Sequence, residues 1–240
     1  MSTLAAQPVI PEFGEASSCV SENRLFCTDW VRENWGEVLQ PALLQHIKLT
    51  LIAVAVGFLI AFAAALLAYR FRRFERSIGF FAALVYTIPS IALFQLLVPV
   101  TGLGVLTVEI ALVGYTLLIL FRNILAGLRA APPDVLEAAR GMGLTRRQTL
   151  WRIELPLALP AIVAGLRIAT VSTIALATIA AFVIPEGLGR PIFIALRDYF
   201  KTEIIAAGAL AILLALVVDA LFVLAQRALT PWAFAKRSAA

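Results

Sequence analysis

The chain has 240 residues, 61% of them hydrophobic and 15% charged, with a formal net charge of +5 and a mean hydropathy of +0.92. Soluble domains hold roughly 45–50% apolar and ~25% charged residues. This balance therefore excludes an ordinary soluble globular domain and predicts a chain that crosses a membrane several times.

Residues 1–45 carry no basic lead followed by an apolar run, so they read as an external N-terminal tail with an interfacial segment rather than a secretory leader. Cys19 and Cys27 lie in this tail; they are either closed into a small loop by a disulfide or two separate thiols. Trp30 and Trp35 suit the outer interface and Trp151 and Trp232 the inner one. A membrane domain is expected over 46–230 and a short cytoplasmic tail over 231–240.

Five apolar runs are long enough to span, at residues 49–69, 77–100, 105–121, 157–184 and 204–225. They lack the alternation of barrel strands, so the expected fold is an all-α membrane protein of about five transmembrane helices. The second run carries Pro89, which should kink or break it. Where a span breaks, freed backbone groups must be buried or face a cavity, and Tyr86, Pro89 and Ser90 either line a pathway there or serve helix packing.

Orientation follows from Lys and Arg near the span ends. Most of the chain's 20 basic residues fall on one side: Arg70, Arg72, Arg73 and Arg76; Arg122, Arg129, Arg140, Arg146, Arg147 and Arg152; and Arg227, Lys236 and Arg237. The N-terminus is thus expected outside and the C-terminus in the cytoplasm.

Charges inside spans are costly and usually purposeful. Arg167 in the fourth run and Asp219 in the fifth are expected at similar depth in antiparallel helices. They either pair, or Arg167 snorkels to the interface while Asp219 faces another helix or a water pocket. The single histidine, His46, sits at the edge of the first span and reads as an interfacial residue; with two distant cysteines it makes no metal site. No G-K-[ST] phosphate loop is present, so a chain driven by ATP would borrow it from a partner.

The connection at 130–157 is unusual. Pro132 and Pro133 end the third span, and Asp134 with Glu137 three residues on forms a capping-box pattern. Gly143 suits a left-handed helix end, Thr145 and Gln148 form a second box, and Pro156 and Pro160 reset the chain before the fourth span. Ala138 and Ala139 keep one surface small enough for another backbone to approach. Two short capped helices around a glycine turn fit either an amphipathic connector on the inner leaflet or a docking surface.

Glu137-Ala138-Ala139, three residues, Gly143, nine residues, then Ile153-Glu154-Leu155-Pro156 resembles, in both spacings, the cytoplasmic motif of permease subunits of binding-protein-dependent ABC importers. YTIPSIALF at 86–94, FRNILAGL at 121–128 and ELPLALPAIVAGLR at 154–167 resemble the osmoprotectant branch, which imports glycine betaine, choline and carnitine, with a methionine-importer-like permease fold. PEGLG at 185–189 departs from that pattern by placing Glu186 where a glycine is expected.

The resemblance implies a coupling-helix loop that docks on a separate ATPase dimer, with Glu137, Ala138, Ala139, Gly143, Ile153, Leu155 and Pro156 as ATPase-coupling residues. It also implies a second permease subunit, identical or paralogous, an extracytoplasmic substrate-binding protein, and the inner membrane of a prokaryote. ATP and Mg would bind the partner ATPase and no cofactor this chain. Membrane lipid is the other expected partner, nucleic acid is not one, and no catalytic residue is expected. The alternatives are a permease for another small solute such as an amino acid, and a self-sufficient channel or secondary transporter, against which the absence of internal repeats counts.

Overall fold

A computed structural model describes residues 22–231, which are all-helical apart from their links. Cys19, Trp232, Lys236 and Arg237 lie outside the described residues. In chain order the helices are α1 (Thr28–Glu33), α2 (Gln40–Arg70), α3 (Arg72–Thr87), α4 (Ser90–Thr101), α5 (Val105–Arg129), α6 (Pro133–Gly141), α7 (Arg146–Thr149), α8 (Leu155–Ala180), α9 (Gly189–Arg197) and α10 (Lys201–Leu229). Single π turns at Trp35–Leu39 and Leu150–Glu154 lead into α2 and α8.

Among the described residues, four continuous helices are long and apolar enough to cross a membrane: Trp35–Arg70, Val105–Arg129, Arg146–Ala180 and Lys201–Leu229. The remaining expected span, the second in chain order, is the pair α3 and α4, bent by 100° at its break. Pro89 is the cause. It is the N-cap of α4, with extended backbone (φ −55°, ψ 134°), and forces Ile88 before it into the extended region as well (φ −68°, ψ 130°).

The first span begins earlier than residue 46. Pro41 occupies the first turn of α2, where its fixed φ favours helix and its missing N–H costs nothing. The expected boundary at residue 45 therefore falls inside a helix. The segment before it is also folded. Asn23 Nδ2 donates to the Tyr199 carbonyl at 2.8 Å, Thr202 Oγ1 donates to the Arg24 carbonyl at 3.2 Å, and the Trp30 ring meets Phe200 edge-on at 5.2 Å. Trp30 thus packs on the start of α10.

Small residues set how closely the spans pack. Ala53, Gly57, Ala61, Ala65 and Ala68 recur at spacings of three or four along α2, and all five are buried, forming one narrow face. That face lies against α5. A Cβ on Gly57 would stand 1.9 Å from Thr116 Oγ1, so any larger residue there would push the two helices apart. Leu120, Ile124 and Leu128 of α5 fill the core beside Ala158 and Ile162 of α8. Nearer the opposite end, Leu49, Phe94, Val108, Leu112, Ala177 and Ile184 form a second core under α4. Half of α5's most apolar window is buried against 11% of α10's, so α5 is the central post and α10 offers most of its surface outward.

Candidate functional site

The elbow between α5 and α8 is built from two terminating devices. Helix α6 ends in a Schellman arrangement: the Leu144 N–H donates to the Ala139 carbonyl at 3.1 Å and the Gly143 N–H to the Arg140 carbonyl at 2.9 Å. Gly143 holds φ +78°, a conformation that L side chains rarely adopt. Two residues on, Thr145 Oγ1 accepts from the Gln148 N–H at 3.3 Å while Gln148 Oε1 accepts from the Thr145 N–H at 2.8 Å, a complete capping box.

The box expected at Asp134 does not form. The N-cap of α6 is Pro132, with Pro133 at N1. Proline's fixed φ starts the helix there, which puts Asp134 inside the first turn, where its charge complements the helix end without capping it. The prolines expected to reset the chain before the fourth span do not break it either. Helix runs on from Arg146 to Ala180. A π turn at Leu150–Glu154 precedes Pro156, and Pro160 lies inside α8.

The elbow's motif residues divide into two groups. Glu137, Ala138 and Gly143 are exposed, together with Val135, Met142 (71% exposed) and Trp151. Ala139 is fully buried, which corrects the expectation that both alanines share the open surface. Its side chain has turned onto its own fold, one residue away from exposed Ala138. Ile153, Leu155 and Pro156 are half-buried where the elbow meets α8, and Leu155 packs against the core of α2, α5 and α8. Glu154 is buried, and it lines one cleft with Tyr69 at the end of α2, so the root of the elbow lies against that helix. Exposed apolar Met142 and Trp151 were not singled out as a surface by sequence reasoning. The signal was there: two large apolar side chains in the most charged stretch of the chain.

The second site is the break between α3 and α4. The Tyr115 hydroxyl donates to the Ile88 carbonyl at 2.5 Å, and the Tyr86 and Tyr115 rings meet edge-on at 5.9 Å. A Cβ on Gly114 would lie 3.0 Å from Val85 Cγ1, so glycine permits this approach. Tyr115 stands near the middle of α5, ~15 Å along the helix from Val105. The break therefore sits deep between the ends of the spans. Tyr86 is 43% exposed and Pro89 is exposed beside it, with Ser90 half-buried. The break and the elbow are separate sites.

Two polar clusters hold the helices. Arg167 and Asp219 form a two-pronged pair: Nη2 donates to Oδ2 at 2.8 Å, and Nε donates to Oδ1. His46 is fully buried rather than interfacial. Its Nδ1 accepts from the Leu188 N–H at 3.2 Å and its Nε2 lies 3.1 Å from the Ile174 carbonyl, which assigns the proton to Nε2 in a neutral ring. Gln45 Oε1 accepts from the Gly187 N–H at 2.9 Å. The loop that carries Glu186, itself half-buried, is thereby pinned to α2.

Residues 47–234 match the family described as the inner membrane component of binding-protein-dependent transport systems. The choline transport system permease protein OpuBB of Bacillus subtilis (strain 168) is 35% identical over 202 residues, 84% of this chain and 93% of the relative. The glycine betaine/carnitine/choline transport system permease protein OpuCB of the same organism is 32% identical over the same shares of the two chains. The osmoprotectant import permease protein OsmW of Salmonella typhimurium is 36% identical over 192 residues, 78% of this chain and 89% of the relative. Among solved structures, a chain of the MetNI methionine ABC transporter in an inward-facing conformation aligns with a TM-score of 0.74 at 21% identity, covering 82% of this chain and 99% of that chain. A chain of an amino acid ABC transporter solved with histidines aligns at 0.70 and 19% identity, covering 82% and 97%. At such identities the structural likeness speaks to the fold.

Proposed function

The chain belongs to the family of inner membrane components of binding-protein-dependent transport systems, and from that premise we propose that it is the permease subunit of an ATP-driven importer for a quaternary-amine osmoprotectant of the glycine betaine, choline or carnitine type. The observation that carries the coupling half of this reading is the elbow: Glu137, Ala138, Gly143, Met142 and Trp151 form an exposed, rigidly terminated surface rooted in α8 and α2. The substrate half rests on relatives named for choline, glycine betaine and carnitine at about 35% identity over most of both chains.

In this reading the arginine-rich end faces the cytoplasm, and the elbow docks on a separate ATPase dimer that binds ATP and Mg. Movement of that dimer shifts the elbow. The half-buried root at Ile153, Leu155 and Pro156 carries the shift into α8, and Glu154 carries it toward α2. A conformational change needs contacts that differ between its two states, and an exposed lever on a stiff root provides them. A second permease copy, identical or paralogous, completes the pathway against the outward faces of this one, and an extracytoplasmic binding protein delivers the solute. Tyr86, Pro89 and Ser90 line the route at the break, where freed backbone groups need a wet or protein-covered side and aromatic faces suit a quaternary ammonium group.

Reconstitution tests the reading. The chain, co-purified with its ATPase and given its binding protein, accumulates radiolabelled choline or glycine betaine in proteoliposomes on ATP addition. Uptake of methionine or histidine in place of both would overturn the substrate assignment, and uptake without any ATPase would overturn the coupling.

A further inference from the structure

We propose that the cleft between α3 and α5 binds the headgroup of an anionic phospholipid in the leaflet at the arginine-rich end of the spans. The cleft encloses about 580 Å³ and brings together Arg76, Arg122, Arg129, Glu75, Phe80 and Phe121. One carboxylate faces three guanidinium groups, and it is already used: Arg129 Nη1 and Nη2 donate to Glu75 Oε1 and Oε2 at 2.6 and 2.7 Å. Arg76 and Arg122 are exposed and make no ion pair among the described residues. The cleft therefore holds two unneutralised cations beside a fixed ion pair, and an anion with several acceptor oxygens is the group that fits them.

The position selects a lipid over a soluble anion. Arg122 and Arg129 lie seven residues apart on α5, ~10 Å along the helix, so the charges run from the helix end toward the apolar span. The rest of the lining, Phe80 and Phe121 among it, is apolar and continues up α3, where Phe80 and Phe81 are more than 60% exposed. A charged mouth above an apolar wall matches a phosphate joined to acyl chains, and basic pockets between transmembrane helices are a known form of lipid recognition. A quaternary ammonium solute would be repelled there, so the cleft is distinct from the transport route proposed at the α3–α4 break.

The test uses the purified permease–ATPase complex in detergent, with retained lipid read by native mass spectrometry during titration with phosphatidylglycerol or phosphatidylcholine. The wild type is expected to hold phosphatidylglycerol at least tenfold more tightly than phosphatidylcholine. Arg76→Gln with Arg122→Gln should lose that tenfold preference, and Arg227→Gln, far along the chain, should keep it. Gly79→Leu gives an independent contrast. It leaves every charge in place, its Cβ meets Phe121 at an ordinary 3.7 Å, and its side chain fills the apolar wall, so binding should weaken severalfold. Unchanged preference in the double-arginine variant, or unchanged phosphatidylglycerol affinity in Gly79→Leu, would overturn the site. Displacement of the lipid by inorganic phosphate at equal concentration would overturn the lipid assignment in favour of a free anion.

Discussion

The Tyr115 hydroxyl reaches from the middle of α5 to the Ile88 carbonyl, 2.5 Å away, at the point where the second span turns through 100°. The Ile88 carbonyl, left without a helical donor where the chain turns extended at Ile88 and Pro89, is thereby satisfied inside the fold, and the break is fixed in place. Tyr115→Phe removes the donor and leaves that carbonyl orphaned. Interhelical bonds in membranes are worth about 0.6 kcal/mol and up to about 1.7, so the variant should melt a few degrees lower and transport more slowly.

Tyr86 presents its ring beside the same break. Tyr86→Ala should raise the KM for choline several-fold, and Tyr86→Phe should stay near wild type because the aromatic face persists. Uptake kinetics in proteoliposomes separate the two variants. Equal KM for Tyr86→Ala and wild type would remove Tyr86 from the route.

Gly143→Ala probes the elbow without crowding it. Nothing lies within 4 Å of the added Cβ, so the cost is conformational: φ of +78° is roughly 1–2 kcal/mol unfavourable for a side-chain-bearing residue. The elbow should loosen while the spans, whose cores lie elsewhere, keep their melting temperature. Limited proteolysis of the 141–146 segment should quicken, and ATP-driven uptake should fall by about half or more. A lowered melting temperature with unchanged proteolysis would assign Gly143 to the membrane core instead.

Arg167 and Asp219 join α8 to α10, a helix with little other burial. Alanine at either position leaves the other charge unpaired within a span. The double alanine variant should therefore melt higher than the sum of the two single losses predicts. Strictly additive losses would show that the two charges act independently.

His46 bridges Leu188 and Ile174 from a fully buried position. Leaving a buried polar group unpaired costs about 1–3 kcal/mol. His46→Leu orphans the Leu188 N–H and should lower stability by about that much while loosening the 185–189 loop. Faster hydrogen exchange confined to that loop checks the assignment.

Much of this was legible beforehand, for identifiable reasons. Five apolar stretches, Pro89 as a breaker, and Gly143 and Thr145 as helix punctuation each follow from local chemistry, and the E-A-A…G…I-x-L-P spacing pointed to the family that residues 47–234 match. Local pattern failed where tertiary packing decides. Asp134 reads as a cap, yet Pro133 already starts the helix. Ala138 and Ala139 are chemically alike, and only the fold turns one inward. Pro156 and Pro160 look like stops, but Pro156 sits in the first turn of α8, where a missing N–H costs little, and Pro160 lies inside that helix, which runs on to Ala180. His46 reads as interfacial because its two backbone partners lie more than 120 residues away.

The central claim is that the elbow transmits motion from a separate ATPase to the spans. Gly143→Pro tests it most directly, since proline removes the N–H that bonds Arg140 and cannot hold a positive φ. In proteoliposomes holding the variant with its ATPase and binding protein, we expect normal membrane insertion and continued ATP hydrolysis with choline or glycine betaine accumulation largely lost. Accumulation per ATP hydrolysed equal to that of the wild type would contradict the account.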